Sequence, residues 1–73
     1  MSEVTDELYR SACTISTQMG YAATSLFQRR LRIGYALAAE IVDLMEERGF
    51  CEMFNPNRRD SGKRRLLKEP SHD

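Results

Sequence analysis

Cysteine is scarce in this sequence, histidine scarcer still, and no stretch is both long and apolar. Cys13 and Cys51 are too few and too far apart for a disulfide framework or a zinc knuckle, and read as small reduced hydrophobic residues. The single histidine, His72, has no set of metal-ligating neighbours, so no metal or other cofactor is expected. Ser71-His72-Asp73 is a polar end that cannot hold the rigid geometry nucleophilic catalysis needs, and no enzyme is expected. The longest uncharged run, residues 11–28, is broken by Ser, Thr, Gln and Gly, which rules out a membrane span of about 20 apolar residues. Glu3, Asp6 and Glu7 stand where a secretory signal would carry a basic flank, so a cytoplasmic chain is expected. A length of 73 residues allows one small domain over 1–73, with an ordered core at about 5–69 and a polar tail at 70–73.

Net charge is also absent: eleven Lys and Arg meet eleven Asp and Glu. Along the chain the cancellation is between blocks. Residues 1–27 carry −2, residues 28–35 carry +3 from Arg29, Arg30 and Arg32, and residues 36–52 carry −4. Residues 53–69 carry +4, including Arg58, Arg59, Lys63, Arg64 and Arg65, and Asp73 adds −1. A polyanion responds to such local fields rather than to their sum.

Thr5 is placed to cap a first helix whose opening turn holds Asp6 and Glu7, the sign a helix N-terminus favours. Leu8, Ala12, Ile15 and Met19 form its apolar stripe, and Gly20 stops it. Residues 21–24 have the length of a minimal strand. Ser25-Leu26-Phe27-Gln28 fits a capping box, which opens a second helix at Ser25 with Phe27 and Leu31 inward and an end near Arg32. Ile33-Gly34-Tyr35 reads as a turn, with Gly34 free to take positive φ. A third helix follows from about Tyr35 to Arg48, with Ala38, Ile41, Val42 and Met45 inward and Gly49 at its C′ position. Two helices joined by a short glycine turn are the helix-turn-helix pattern. Phe50 to Phe54 and Lys63 to Lys68 read as strands around the turn formers Asn55-Pro56-Asn57 and Asp60-Ser61-Gly62. The expected fold is therefore mainly α with a small β-wing: a winged helix-turn-helix of three helices and a C-terminal β-hairpin.

The segment Gln28-Arg29-Arg30-Leu31-Arg32-Ile33-Gly34-Tyr35 resembles the gamma domain of the FtsK/SpoIIIE family of bacterial DNA translocases. Asp6-Glu7-Leu8-Tyr9, Ala38-Ala39, Met45-Glu46-Glu47 with Gly49, and Arg65-Leu66-Leu67 before Pro70 extend the resemblance over roughly residues 6–70. It implies a winged helix that reads oriented, G-rich DNA motifs, serves chromosome segregation and activates tyrosine recombinases. In that family Gly-Tyr continues as Asn-Arg-Ala-Ala-Arg, with the Asn and both Arg residues facing DNA. Here those three positions hold Ala36, Leu37 and Glu40. No GxxxxGK[ST] phosphate loop occurs, so the sequence has no motor of its own. The expectation is a detached gamma-type module, either a stand-alone protein of a phage, plasmid or integrated element, or an excised domain.

Two functions follow as expectations. In the first, Ser25, Arg29, Arg30, Arg32, Tyr35, Arg58, Arg59, Lys63, Arg64 and Arg65 contact double-stranded DNA, mostly at phosphates, and a free monomer multimerises on its site. Against it stands the ordinary reading of a solvated helix face and a loose hairpin tip. In the second, Leu37, Glu40, Leu44 and Glu47 form an outward face of the third helix for a protein partner: a tyrosine recombinase, a translocase or a defence complex. Scattered exposed leucines are its ordinary counterpart.

Overall fold

The computed structural model describes residues 3–52 and 63–67. The far end of the first expected wing strand, both turn-forming clusters, Arg58, Arg59, Lys68 and the tail at 70–73 lie outside the described residues.

The first helix, α1, spans Asp6–Met19 and begins as its residues dictate. Thr5 Oγ1 accepts from the Leu8 N–H at 3.1 Å, satisfying one of the donors that a helix start leaves open. Gly20, at φ 87°, closes the helix with its N–H on the Ser16 carbonyl. The inward line runs through Leu8, Ala12 and Ser16 in steps of four, with Ala12 and Ser16 fully buried. Met19 therefore falls at the edge of that line and is 42% exposed, contrary to its place in the expected stripe.

A two-residue strand, β1, follows at Tyr21–Ala22. Helix α2 spans Thr24–Leu31, and its cap is Ala23, not Ser25. The capping box is a correct pattern in the wrong register. Strand pairing holds residues 21–22, and Ala23 continues extended at φ −161°, so the helix starts as soon as the strand ends. The Phe27 N–H donates to the Ala23 carbonyl at 3.2 Å, which leaves Ser25 exposed inside the first turn. Phe27 is buried as expected; Leu26 is buried with it, and Leu31 is half-buried.

The turn into the next helix also differs from expectation. Arg32 takes the left-handed conformation, φ 57° and ψ 49°, while Gly34 sits at φ −74° and ψ 169°. Gly34 is thus the extended N-cap of helix α3, Tyr35–Glu47, and its carbonyl accepts from the Ala38 N–H at 3.0 Å. Ala38, Ile41, Val42 and Met45 are all buried, the face their spacing predicts. At the far end Gly49 has φ 74°. Its N–H reaches the Glu46 carbonyl at 3.1 Å and the Phe50 N–H reaches the Met45 carbonyl at 2.8 Å, a complete Schellman closure.

Strand β2, Arg64–Arg65, pairs antiparallel with β1 in the register Tyr21↔Arg65 and Ala22↔Arg64. On its other side Cys51 bridges Leu66, the Glu52 N–H donates to the Arg65 carbonyl at 2.9 Å, and the Leu67 N–H to the Phe50 carbonyl at 2.9 Å. The returning strand of the wing is thereby held between β1 and the segment after α3. Among the described residues, three helices and this antiparallel sheet enclose a core of Ala12, Ala22, Ala23, Leu26, Phe27, Ala38, Ile41, Val42, Met45 and Cys51.

Candidate nucleic-acid interface

The basic block of α2 lies on the surface. Arg29, Arg30 and Arg32 are all exposed, because Leu26, Phe27 and Leu31 take the inward positions of this short helix. Arg30 Nη1 donates to Met19 Sδ at 3.8 Å, so its guanidinium rests at the exposed end of α1. Arg32 caps α2, and α3 begins shortly after it with Tyr35, 67% exposed. The first turn of α3 contains no acidic residue, and Gly34 offers it no side-chain cap. Its leading N–H groups form a positive end that favours an anion, and Arg32 stands three residues before it. Ser25 is exposed at the opposite end of α2.

The five expected wing cations have different fates. Arg58 and Arg59 lie outside the described residues. Lys63 and Arg65 are exposed, and Lys63 Nζ sits 4.9 Å from the centre of the Tyr21 ring. Arg64 points the other way, as alternation along a strand requires. It forms an ion pair with Glu46 of α3, with 14% of the Arg64 side chain and 18% of the Glu46 side chain exposed. Burial lowers the Arg64 pKa, and the nearby Asp43 carboxylate opposes that shift. Arg64 is thus an internal anchor between sheet and helix, not a surface cation.

That anchor accounts for part of the negative charge on α3. Glu46 faces Arg64, Asp43 lies within electrostatic reach of it, and Arg48 rests 4.4 Å from the centre of the Tyr9 ring on α1. Glu40, Asp43 and Glu47 remain exposed. Leu37 and Leu44 do not stand outward as expected: both are half-buried, because the buried face of α3 extends sideways from Ile41 and Met45. Ala36, Leu37 and Glu40 line a shallow cleft whose other side is Glu3, in the extended segment before α1. Glu40 therefore puts a carboxylate at one of the three positions where base-reading side chains are expected, and Glu3 puts a second beside them. Sequence reasoning missed Tyr21 and the Arg64–Glu46 pair, since both depend on the register between chain segments far apart.

A helix-turn-helix whose second helix starts beside a cationic turn, backed by an antiparallel sheet, defines a protein of the winged-helix class. More narrowly, the chain belongs to the family described as the Ftsk gamma domain, whose pattern matches residues 3–68. It is similar to the DNA translocase SpoIIIE of Bacillus subtilis, 56% identical over 48 residues, which make up 66% of this chain and 6% of that protein. The DNA translocase FtsK of Listeria monocytogenes is 51% identical over 47 residues, 64% of this chain and 6% of the relative. That of Caldanaerobacter subterraneus is 47% identical over 55 residues, 75% of this chain and 8% of the relative. The matches thus span 6–8% of the length of these curated relatives. Among the described residues no helix is long and apolar enough to cross a membrane.

Proposed function

We propose that this chain binds duplex DNA as a gamma-type winged helix, with affinity dominated by phosphate contacts. The observation that carries the reading is the exposed run Arg29, Arg30 and Arg32 at the end of α2, followed closely in the chain by the start of α3, which has no side-chain cap. Guanidinium groups pair with phosphate oxygens, and the helix N-terminus adds backbone donors at the same place. Helix α3 then enters the major groove by its first turns. There Ala36 offers a thymine methyl only an apolar contact, and Glu40 offers an acceptor to a cytosine amino group. Groove shape and phosphate spacing carry more of the selectivity in this reading than guanine readout does. The role requires no catalytic step.

Binding of a duplex oligonucleotide, followed by fluorescence anisotropy across salt concentrations, tests the proposal. Affinity is expected to fall steeply with salt, and Arg29→Gln, Arg30→Gln and Arg32→Gln each to flatten the log–log slope by about 0.9. Failure to bind any duplex at low salt overturns it.

The exposed carboxylates of Glu40, Asp43 and Glu47 favour a second reading, in which α3 meets a basic protein surface. The recombinase, translocase and defence-complex partners belong to this reading. Replacing Ala36→Asn, Leu37→Arg and Glu40→Arg together separates the two. The DNA reading expects tighter, more salt-sensitive duplex binding, and the protein reading expects loss of partner capture.

A further inference from the structure

Exposed charge of both signs remains on α2 and α3. On α3, Glu40, Asp43 and Glu47 are exposed and follow one another by three and four residues, so they form one row on a single side of the helix. Asp43 also lies within electrostatic reach of Arg64, whereas Glu40 and Glu47 make no ion pair among the described residues. Glu40 lines the cleft with Glu3, Ala36 and Leu37 as well. There two carboxylates from separate parts of the chain meet two apolar side chains, a lining that suits a basic residue. Its stem packs on Ala36 and Leu37, and its charged head reaches Glu3 or Glu40. The opposite charge stands on α2 and its cap, where Arg29, Arg30 and Arg32 are exposed and make no ion pair among the described residues.

We propose that the acidic row of α3 and the Glu3–Glu40 cleft dock the Arg29-Arg30-Arg32 run of a second copy of this chain. The inference rests on the reading in which α3 meets a basic protein surface, and it names that surface. The two patches match in sign and in chemistry, since a guanidinium pairs with a carboxylate through two parallel hydrogen bonds. Within one chain the patches form no ion pair with each other, so the contact is made between copies. Eleven charges of each sign leave no net repulsion to hold those copies apart. Each exposed ion pair contributes little by itself, so the association is weak, reversible and sensitive to salt. A copy docked on Arg29, Arg30 and Arg32 also covers the phosphate contacts of the DNA reading.

Sedimentation velocity of the full chain, across protein and salt concentrations and without DNA, tests this surface. At low salt the weight-average mass is expected to rise with protein concentration, and at high salt to return to that of the monomer. Arg29→Glu/Arg30→Glu and Glu40→Lys/Glu47→Lys are each expected to stay monomeric alone and to associate when mixed, because each supplies the sign the other has lost. Circular dichroism checks that both fold. Lys63→Gln/Arg65→Gln, which changes the exposed cations of the sheet, is expected to associate as the native chain does. A native chain that is monomeric at low salt overturns the proposal. So does a mixture of the two folded variants that stays monomeric, or association abolished by the sheet variant alone. These outcomes remove the second copy as partner and leave the wider α3 reading to the capture experiment with Ala36→Asn, Leu37→Arg and Glu40→Arg.

Discussion

Arg32 occupies a backbone conformation that glycine adopts freely and that other L-residues adopt at a cost of about 1 kcal/mol. Gly34, two residues on, has an ordinary negative φ. A glycine at 32 would fit the turn better, so the arginine there serves its exposed side chain rather than the backbone. Arg32→Gly is expected to hold or raise the thermal midpoint while flattening the salt dependence of DNA binding by about 0.9. Loss of stability without change in binding would reverse that assignment. The same turn shows what a single chain conceals. A glycine announces conformational freedom, but which neighbour uses left-handed geometry depends on how α2 and α3 dock. Ser25 illustrates the point again: Ser-x-x-Gln satisfies a capping box, yet strand pairing upstream moves the cap to Ala23. Thr5, with no such constraint before it, caps the helix its sequence predicts.

At the scale of elements, α3 is the most legible piece, because four apolar residues at helical spacing leave one way to face a core. Its outer side is not legible. The charge pattern suggests one acidic surface, whereas the fold divides it between Glu46, committed to Arg64, and Glu40, Asp43 and Glu47 at the surface. The Arg64–Glu46 pair joins the returning wing strand to the helix-turn-helix. Arg64→Gln and Glu46→Gln are each expected to lower stability by roughly 1–3 kcal/mol, as for a largely shielded ion pair that loses one partner. Neither is expected to flatten the salt slope of DNA binding as Arg29→Gln does. Denaturant unfolding alongside the salt series separates the two effects, and a slope change of about 0.9 for Arg64→Gln would make it a phosphate contact instead.

Across the whole molecule the core is small, built among the described residues from ten buried apolar side chains of which Phe27 is the largest. Cys51 belongs to it as a packed thiol next to the sheet. Burial, with smaller contributions from Glu52 and Cys13, pushes its pKa up from 9.0 to about 11. Between those values the unfolded chain releases a proton that the folded chain keeps. Stability is therefore expected to be unaffected by this thiol below pH 9 and to fall as pH rises towards 11, by up to about 1.4 kcal/mol per unit. Denaturant midpoints measured across that window should decline in the native sequence and decline less in Cys51→Ala. An equal decline in both would place the loss elsewhere.

The β1–β2 pairing joins a segment in the first third of the chain to one near its end, through two residues on each side. Closing so wide a loop loses chain entropy before the pairing contributes anything, whereas α1, α2 and α3 draw on contacts closer in sequence. The sheet is therefore expected to close after the helices have assembled and to open before them. For a wing this has a practical meaning. Opening of the β1–β2 pair would part Arg65 and Lys63 from Tyr21 while the helical core stays folded, with the Arg64–Glu46 pair as the remaining tie to α3.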